Sequence, residues 1–496
     1  MNELQINFLT NKKTFRILKL LKNLERNHRI SLEEVVKLTN SSRRTAIYDF
    51  KEIKSHFKNT ITLTTSNKGY DFYVTNSSDY IKLKLKLVEK EPLLVIFESL
   101  FHSHNCPKTI SKWAEELFMS SSALINQINN ISPFLLDYGI KINKNPVYFI
   151  GKEINIRYFF HDFYYKSMVI PHAIKSDTII KKITLELKEK DFFNDYMPLP
   201  LEDFKFILYI TMIRFFNGNE IRYSFHEIFK KFFIFNKFKN EKIFILQKII
   251  LKYVNKHLSY SEAYFLCTIL LLNRSVSDPH TELKFQNILK KSTKVLSWTD
   301  EYIKLLKPVE IEKTTILIRS FFYSILIRNK FSPILNQNTI NVTDHIKKEC
   351  NFNYKRNFLF ISDKLKKDLH LTKKQVEDIS ANLTIFVDSV RITHWNQKKN
   401  IVFVLEGNYY IYENIKAIVN MYIQNYHNIT FITVSEFRYD FFFNNKFDLI
   451  VTNYNQFALE YLQDFNYLLF NSVPSTQDWN KLFKLIHPRA AKLLDK

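Results

Sequence analysis

The stretch that decides the fold is residues 31–74, which read SLEEVVKLTNSSRRTAIYDFKEIKSHFKNTITLTTSNKGYDFYV. Ser31 and Glu34 have the spacing of a capping box, which predicts that a short helix begins there. Asn40 is expected to end this helix in a tight turn, because asparagine tolerates the left-handed backbone that such a turn needs. Ser42 then caps the next helix, so the sequence predicts two short helices separated by only a few residues.

The second of these helices has an apolar side and a basic side. We predict that its inward side consists of Ile47, Phe50, Ile53 and Phe57. Two alternating segments joined by a turn at residues 66–69 follow it and predict a β-hairpin. Another amphipathic helix precedes residue 31. The order helix, helix, helix and hairpin is that of a winged helix-turn-helix domain, whose last helix enters the major groove of DNA.

The outward side of that last helix and the tip of the hairpin supply the candidate DNA contacts of this first module, residues 1–75. They are Ser42, Arg43, Arg44, Thr45, Tyr48, Lys51, Lys54 and Lys68. Residues 1–70 contain fourteen Lys and Arg against six Asp and Glu, a surplus that suits phosphate contacts. A basic helix face is often merely solvated, and this alternative stays open.

The same order of elements returns in a second module, residues 76–165. A short helix from Thr109 to Leu117 is followed by a break, by a capped helix from Ser120 to Asn130 and by a hairpin that ends at Ile150. Asparagine and glutamine side chains suit adenine edges or phosphates, although they too are often only solvated. The candidate contacts here are Ser121, Ser122, Asn126, Gln127 and Lys144.

The composition of the chain limits the classes of protein that it can be. Its 496 residues are 46% hydrophobic and 24% charged, which is typical of a globular protein with several domains. Neither a membrane-spanning run nor a signal-peptide pattern is present, so we expect a soluble, cytoplasmic protein without a membrane partner. The net charge of +23 suggests a polyanionic partner, although an AT-rich coding bias toward lysine would raise it as well.

The sequence offers little that could support catalysis. Its five glycines are far apart, which excludes the glycine-rich phosphate loops of Walker-A and dinucleotide-binding proteins. His102, His104 and Cys106 lie close together, but such spacing on a helix points the side chains apart and disfavours zinc. The three cysteines predict neither a disulfide framework nor a CxxC zinc site. We therefore expect no enzyme, no cofactor, and no catalytic or metal-binding residues.

Two phrases carry a resemblance to a known family. The first is Ser42-Arg43-Arg44-Thr45 in the first module, and the second is Ile150-Gly151-Lys152-Glu153-Ile154-Asn155-Ile156-Arg157, which closes the second module. With two helix-turn-helix modules in tandem, the chain resembles the Mga/AtxA class of bacterial transcriptional regulators. The resemblance implies PRD-like helical modules after the DNA-binding part, a C-terminal domain like the EIIB component of the sugar phosphotransferase system, and links to virulence genes.

Residues 166–280 and 281–395 fit two PRD-like all-helical modules. Capping-box patterns at Ser259–Glu262 and Thr372–Gln375 each lead into a long apolar helix. The resemblance implies histidines that phosphotransferase proteins phosphorylate, but the corresponding positions here are Ile207, Ile269, Phe321 and Asn382. Other histidines could take that role, although surface histidines without a function are the simpler interpretation. These phosphorylation candidates are His226, His257 and His345.

Strands alternate with helices from residue 396 to residue 496, which predicts a small α/β domain with a parallel sheet. An EIIB enzyme carries a phosphorylated cysteine in the loop after its first strand. Here that loop is Glu406-Gly407-Asn408, so we expect dimerisation or signal sensing instead of phosphocysteine chemistry.

Taken together, the sequence predicts a mainly α multidomain protein that binds double-stranded DNA and regulates transcription as an activator. We expect a homodimer held through the C-terminal α/β domain and the helical core, with phosphotransferase-system proteins as further partners. A PRD-type antiterminator that binds RNA is the main alternative. A nucleic-acid-modifying enzyme targeted by helix-turn-helix modules is the other.

Overall fold

A computed structural model of the protein describes residues 4–66, 68–102, 107–166, 178–193, 201–221, 230–234, 240–273, 278–338, 342–395, 398–436 and 447–487. The described residues are mostly helical, with hairpins near the amino end and a small sheet near the carboxyl end. Contacts divide the chain into two compact units, Met1–His394 and Trp395–Lys496.

The first module has the predicted order of elements. Its helices are α1 Lys12–Asn27, α2 Leu32–Thr39 and α3 Arg43–Phe57, and its strands are β1 Arg29–Ile30, β2 Ile61–Ser66 and β3 Gly69–Val74. The strands form an antiparallel sheet in the order β1-β3-β2. Gly69 is needed where the hairpin passes β1, because a Cβ on Gly69 would lie 2.3 Å from the carbonyl oxygen of Ile30.

The residues in the range 31–42 that were predicted to begin and end helices do so in the structure. Ser31 and Glu34 make both hydrogen bonds of a capping box at the start of α2. Asn40 adopts the left-handed conformation, with φ of 48°, directly after α2. The hydroxyl of Ser42 accepts a hydrogen bond from the backbone N–H of Thr45 and so caps α3. The turn of this helix-turn-helix is therefore set by short-range hydrogen bonds.

The inward side of α3 differs from the prediction at one position. Phe50, Ile53 and Phe57 are buried as expected, but Ile47 is 37% exposed and Ala46 is buried in its place. The buried positions 46, 50, 53 and 57 are spaced by four, three and four residues, which is the helical period. Position 47 lies one residue outside this stripe, so the prediction for Ile47 was wrong.

The second module contains a longer recognition-type helix than predicted. Its described helices are α4 Ser77–Lys86, α5 Pro92–Phe101, α6 Ile110–Glu116, α7 Ser121–Asp137 and α8 Glu153–Tyr164, with the hairpin β4 Lys141–Lys144 and β5 Val147–Ile150. We predicted that α7 ends at Asn130, yet it continues through Pro133. The continuation is stabilised by burial, because Ile131 and Leu135 both lie in the core.

The amino-terminal segment Leu4–Phe8 connects the two modules. It forms a 3-10 helix, and the fully buried Phe8 packs against the rings of Phe97 and Phe163, with centroids 5.3 and 5.2 Å away. The backbone N–H and the hydroxyl of Thr10 both donate to the Glu91 carboxylate at 2.9 Å. Residues from the amino end of the first module thus lie in the core of the second.

A helical body follows. Its described helices are α9 Thr178–Glu189, α10 Leu201–Phe216, α11 Asn240–Val254, α12 Tyr260–Leu272, α13 Pro279–Asn287, α14 Thr293–Leu306, α15 Ile311–Phe331, α16 Val342–Glu349, α17 Asn351–Phe360, α18 Lys366–Leu369 and α19 Lys373–His394.

Of the two capping boxes predicted in this body, one is complete and the other has only one of its two hydrogen bonds. Thr372 and Gln375 exchange both hydrogen bonds, as predicted. Ser259 caps α12, but Glu262 turns away from it, so the box at this site is only half made. The Glu262 carboxylate is fully buried and binds Arg157 of α8 and the backbone N–H of Ile221. A buried carboxylate is better stabilised by an arginine than by a helix cap, so the prediction of a second full box was wrong.

The second unit contains a parallel sheet covered by helices. Its described elements are β6 Asn400–Leu405, α20 Tyr409–Tyr422, β7 Asn428–Thr433, β8 Leu449–Thr452, α21 Asn455–Tyr461, β9 Tyr467–Leu469 and α22 Thr476–Ile486. The strand order is β7-β6-β8-β9, and all three pairs are parallel. The continuous apolar strand β6 is buried on both faces, as such runs in parallel sheets are.

Candidate nucleic-acid interface

The amino-terminal turn of α3 is open to solvent. Arg43 and Arg44 directly follow the Ser42 cap and are both exposed. Thr45 is half-buried, and its hydroxyl lies 2.9 Å from that of Ser42. This turn therefore presents two guanidinium groups at the end of the helix that meets base edges in helix-turn-helix proteins.

Ion pairs fix the position of α3 against α1. The guanidinium of Arg16 donates two hydrogen bonds to the Asp49 carboxylate, at 2.8 and 2.9 Å, and Asp49 is 1% exposed. Lys13 pairs with Glu52 at 2.8 Å one turn further along. Sequence reasoning missed both pairs, because their partners are more than thirty residues apart and no local pattern joins them.

The side of α3 that faces solvent carries the remaining candidates. Tyr48 is 52% exposed, and its hydroxyl hydrogen-bonds Glu52, which raises the pKa of Tyr48. The ammonium group of Lys13 lies 5.5 Å from the centroid of the Tyr48 ring. The Tyr48 side chain is thus held in place by Glu52 and Lys13. Lys51 and Lys54 are exposed on the same helix, and Lys68 is exposed at the tip of the hairpin.

The corresponding turn of the second module is open as well, but it is polar and uncharged. Ser120 caps α7 by accepting from the backbone N–H of Ala123 at 3.2 Å. Ser122 and Asn126 are exposed, whereas Ser121 is half-buried. These side chains could offer hydrogen bonds to base edges or phosphates, without the charge of the first module.

Two candidates of the second module are less accessible than predicted. Gln127 is half-buried, and its side-chain oxygen is buried without a hydrogen-bond partner among the described residues. Its side-chain oxygen is therefore not open to solvent, as a DNA contact through this atom would require. Lys144, on the hairpin, is half-buried and donates to the side-chain oxygen of Asn129 at 2.8 Å. This bond joins the hairpin to α7.

One residue that sequence reasoning missed is Phe118, in the turn between α6 and α7. It is 97% exposed and left-handed, with φ of 53°. The N–H groups of Phe118 and Met119 bond the carbonyls of Glu115 and Ala114, which is the hydrogen-bond pattern of a Schellman motif. Glycine or asparagine is usual at this position, and a bulky residue there is strained. A strained phenylalanine held wholly in solvent marks a candidate contact residue.

The described residues show no arrangement suited to a metal. They contain no group of three or more His, Cys, Asp or Glu that could bind an ion. His104 and Cys106, for which the sequence disfavoured a zinc site with His102, lie outside the described residues. In the second unit the side-chain oxygen of Asn408 accepts a hydrogen bond from the backbone N–H of Tyr410 and so caps α20, in the loop after β6.

The phosphorylation candidates are scattered. His226 lies outside the described residues. His257 is exposed just after α11, and His345 is exposed on α16. None of the described helices combines the length and hydropathy needed to cross a membrane.

Comparison with known proteins supports the interpretation of the amino-terminal part. Residues 79–164 match the Mga helix-turn-helix domain. A Streptococcus pneumoniae protein whose name describes a trans-acting regulator is 29% identical over 159 residues, which cover 32% of this chain and 31% of that protein. The capsule synthesis positive regulator AcpA of Bacillus anthracis is 23% identical over 407 residues, which cover 77% of this chain and 81% of AcpA. Residues 79–164 are therefore similar to the Mga helix-turn-helix domain, and the resemblance of the chain to Mga/AtxA-class transcriptional regulators is confirmed.

Proposed function

We propose that this protein binds duplex DNA through both amino-terminal modules and activates transcription. The observation that carries the proposal is that α3 and α7 both begin in capped, solvent-open turns beside a hairpin. In helix-turn-helix proteins this end of the recognition helix meets base edges, and hairpins contact the adjoining backbone. The name of AcpA, a positive regulator, supports activation over repression.

We assign different tasks to the two modules. Arg43, Arg44 and the neighbouring lysines of the first module would supply phosphate affinity through counterion release, together with contacts to guanine edges. Ser122 and Asn126 of the second module would add hydrogen bonds without charge. This division predicts that most of the salt dependence of binding comes from the first module.

Competition between duplex DNA and hairpin RNA tests which class of nucleic acid the protein binds. DNA fragments that the chain selects from its own genome would be the probes, with hairpin RNA of equal length and charge as competitor. We expect the duplex to be retained at a large excess of RNA. Preferential release of the duplex by RNA would instead favour the antiterminator alternative.

Phe118 is proposed to add an apolar contact to the DNA, for instance with a thymine methyl group. We expect Phe118→Gly to weaken DNA binding by about 1 kcal/mol or more, because the contact is lost. The same change should leave the protein equally stable or more stable, since glycine removes the left-handed strain. Binding and thermal unfolding of the same preparation check this, with Phe352→Gly, another exposed phenylalanine, as control for DNA binding. Unchanged DNA affinity would remove Phe118 from the interface.

We also propose a homodimer in which the second unit takes part. Large apolar side chains are exposed on and just after α20, among them Tyr410 (80%), Met421 (70%) and Tyr426 (63%). Tyr410 and Met421 lie on the same side of α20, eleven residues apart. Exposed apolar clusters of this kind commonly mark interaction surfaces.

Light scattering tests the dimer proposal. We expect Tyr410→Lys with Met421→Lys to shift the protein toward monomer, because two lysines would face the partner. Glu460→Lys on α21 is the control, since α20 and α21 pack against different apolar clusters of the sheet. A dimer that persists in the double variant would place the interface elsewhere, for example on the helical core.

The remaining assignments stay predictions. We propose the module limits 1–75, 76–165, 166–280, 281–395 and 396–496, with PRD-like helical modules in the middle and an EIIB-like domain at the end. Control by phosphotransferase proteins through His257 or His345 and a link to virulence genes rest on the family resemblance alone.

A further inference from the structure

A cavity of about 120 Å³ lies within the first unit where α8 meets the helical body. Its walls come from α8, α10, α12 and the end of α15. Helix α8 is the last helix of the Mga helix-turn-helix domain, so one wall of this cavity belongs to the DNA-binding part of the chain. Any molecule bound there would contact both the DNA-binding part and the helical body.

Two buried polar groups line the cavity without a hydrogen-bond partner among the described residues. His161 is 6% exposed, and its Nε2 atom has no hydrogen-bond partner among the described residues. The hydroxyl of Thr211 is fully buried and likewise has no partner there. Leaving one such group unsatisfied costs about 1–3 kcal/mol, and here two of them line the same space. Burial also lowers the pKa of His161 to about 3, so the imidazole is neutral at physiological pH.

Among the charged side chains that line the cavity, cations outnumber carboxylates. Arg157 is neutralised by Glu153 and Glu262, which bind it directly. The other charged side chains of the lining are the cations Lys166 and Arg328 and the carboxylate of Asp203. Lys166 also pairs at 3.4 Å with Asp162, which, like Glu153 and Glu262, is not part of the cavity lining. A monoanion would therefore be better accommodated than a cation.

The size and the remaining walls restrict the ligand further. Ile207, Ile210, Ile269 and Leu272 make much of the lining apolar. A buried apolar cavity of about 150 Å³ can hold one benzene molecule, so the space fits a molecule of about six non-hydrogen atoms. We propose that the cavity is a binding site for a short-chain carboxylate, with its alkyl chain against the isoleucines and its carboxylate toward Thr211, His161 and the nearby cations.

A ligand bound in the cavity would change DNA binding through α8, and this consequence rests on the proposed function. Arg157 lies on the cavity wall, and its Nη2 atom donates a hydrogen bond of 2.8 Å to the Oε1 atom of Glu262 on α12. Glu153 of α8 accepts hydrogen bonds from Arg214 of α10 at 2.9 Å. A ligand that orders these contacts would change how α8 is held, and linkage then requires DNA to change the affinity for the ligand by the same factor.

Titration calorimetry on the full chain tests the site, with butanoate as probe and butylammonium and butanol as controls at constant ionic strength. We expect saturable binding of butanoate only. Thr211→Val should weaken it about tenfold, because the hydroxyl donor is lost while the volume is kept. Ile269→Phe should abolish it by filling the cavity. Thr299→Val is the matched control, since Thr299 is equally buried but outside the cavity.

The outcomes separate this proposal from the proposed function. The site would be overturned if butanoate did not bind, or if the wild type and Thr211→Val bound it equally, since binding would then not involve the cavity hydroxyl. Because Ile269→Phe could disturb folding, its thermal unfolding is measured first, and the comparison of Thr211→Val with the wild type decides the matter if Ile269→Phe is unstable. DNA binding by the unliganded chain tests the proposed function separately, since it does not depend on butanoate.

Discussion

Replacing Arg43 and Arg44 together by alanine is expected to cause the largest loss of DNA binding. Both side chains are exposed at the capped start of α3, and neither is required for the core of the first module. We expect a loss of about 1–3 kcal/mol for each base contact removed. Each phosphate contact removed should lower the salt slope of binding by about one. Gel-shift titrations at several salt concentrations measure both quantities.

A matched control distinguishes the loss of local DNA contacts from the loss of net positive charge. Lys181→Ala with Lys182→Ala removes the same two charges from exposed neighbouring positions on α9. We expect this control to keep nearly all of the affinity, because α9 belongs to neither of the two modules proposed to contact DNA. The double arginine variant could lose no more affinity than the double lysine variant and show no larger decrease in salt slope. In that case the first module does not contact DNA bases through α3.

Removing the carboxylate of Glu262 is expected to have the largest effect on stability. Glu262 is fully buried and binds Arg157, whose own side chain is 3% exposed. Among the described residues, Glu262→Ala leaves this buried arginine with Glu153 alone as a carboxylate partner, and breaking a buried pair in this way costs about 3–5 kcal/mol. Urea denaturation measures the loss.

Glu220→Ala serves as the control for Glu262→Ala, because Glu220 is an exposed glutamate in the loop after α10. It should change the free energy of unfolding by less than about 0.5 kcal/mol. A similarly small effect of Glu262→Ala would contradict the role that the structure gives to this ion pair. Since Arg157 lies in the Mga helix-turn-helix domain, a large effect would show that this domain depends on the helical body for its stability.

Short-range signals were sufficient for the local structure of the helix-turn-helix units. Ser31 with Glu34, Asn40 and Ser42 all act on backbone groups within a few residues, so their effect depends little on the rest of the chain. The same holds for Ser120 at the start of α7. The hairpin strands and the strand β6 could be predicted as well. A strand with one buried face alternates apolar and polar residues, and a strand buried on both faces is apolar throughout.

The contacts that position the candidate interface could not be predicted in this way. Arg16 and Asp49 are 33 residues apart, and Arg157 and Glu262 are 105 residues apart. Glu262 even carries a misleading local signal, since it has the spacing of a capping box but pairs with a distant arginine. Phe118 gives no signal at all, because its importance lies in its backbone conformation and exposure.

Photo-cross-linking measures the proposed DNA contacts themselves. A photoreactive amino acid is placed at position 44 or position 122 of the full chain, or at position 182 as a control, and each variant is irradiated with the DNA fragments that the wild type selects. We predict cross-links to duplex DNA from positions 44 and 122, at separate places on the same fragment, and none from position 182. Equal labelling from all three positions, or none from position 44 and position 122 on fragments that remain bound, would contradict binding through α3 and α7.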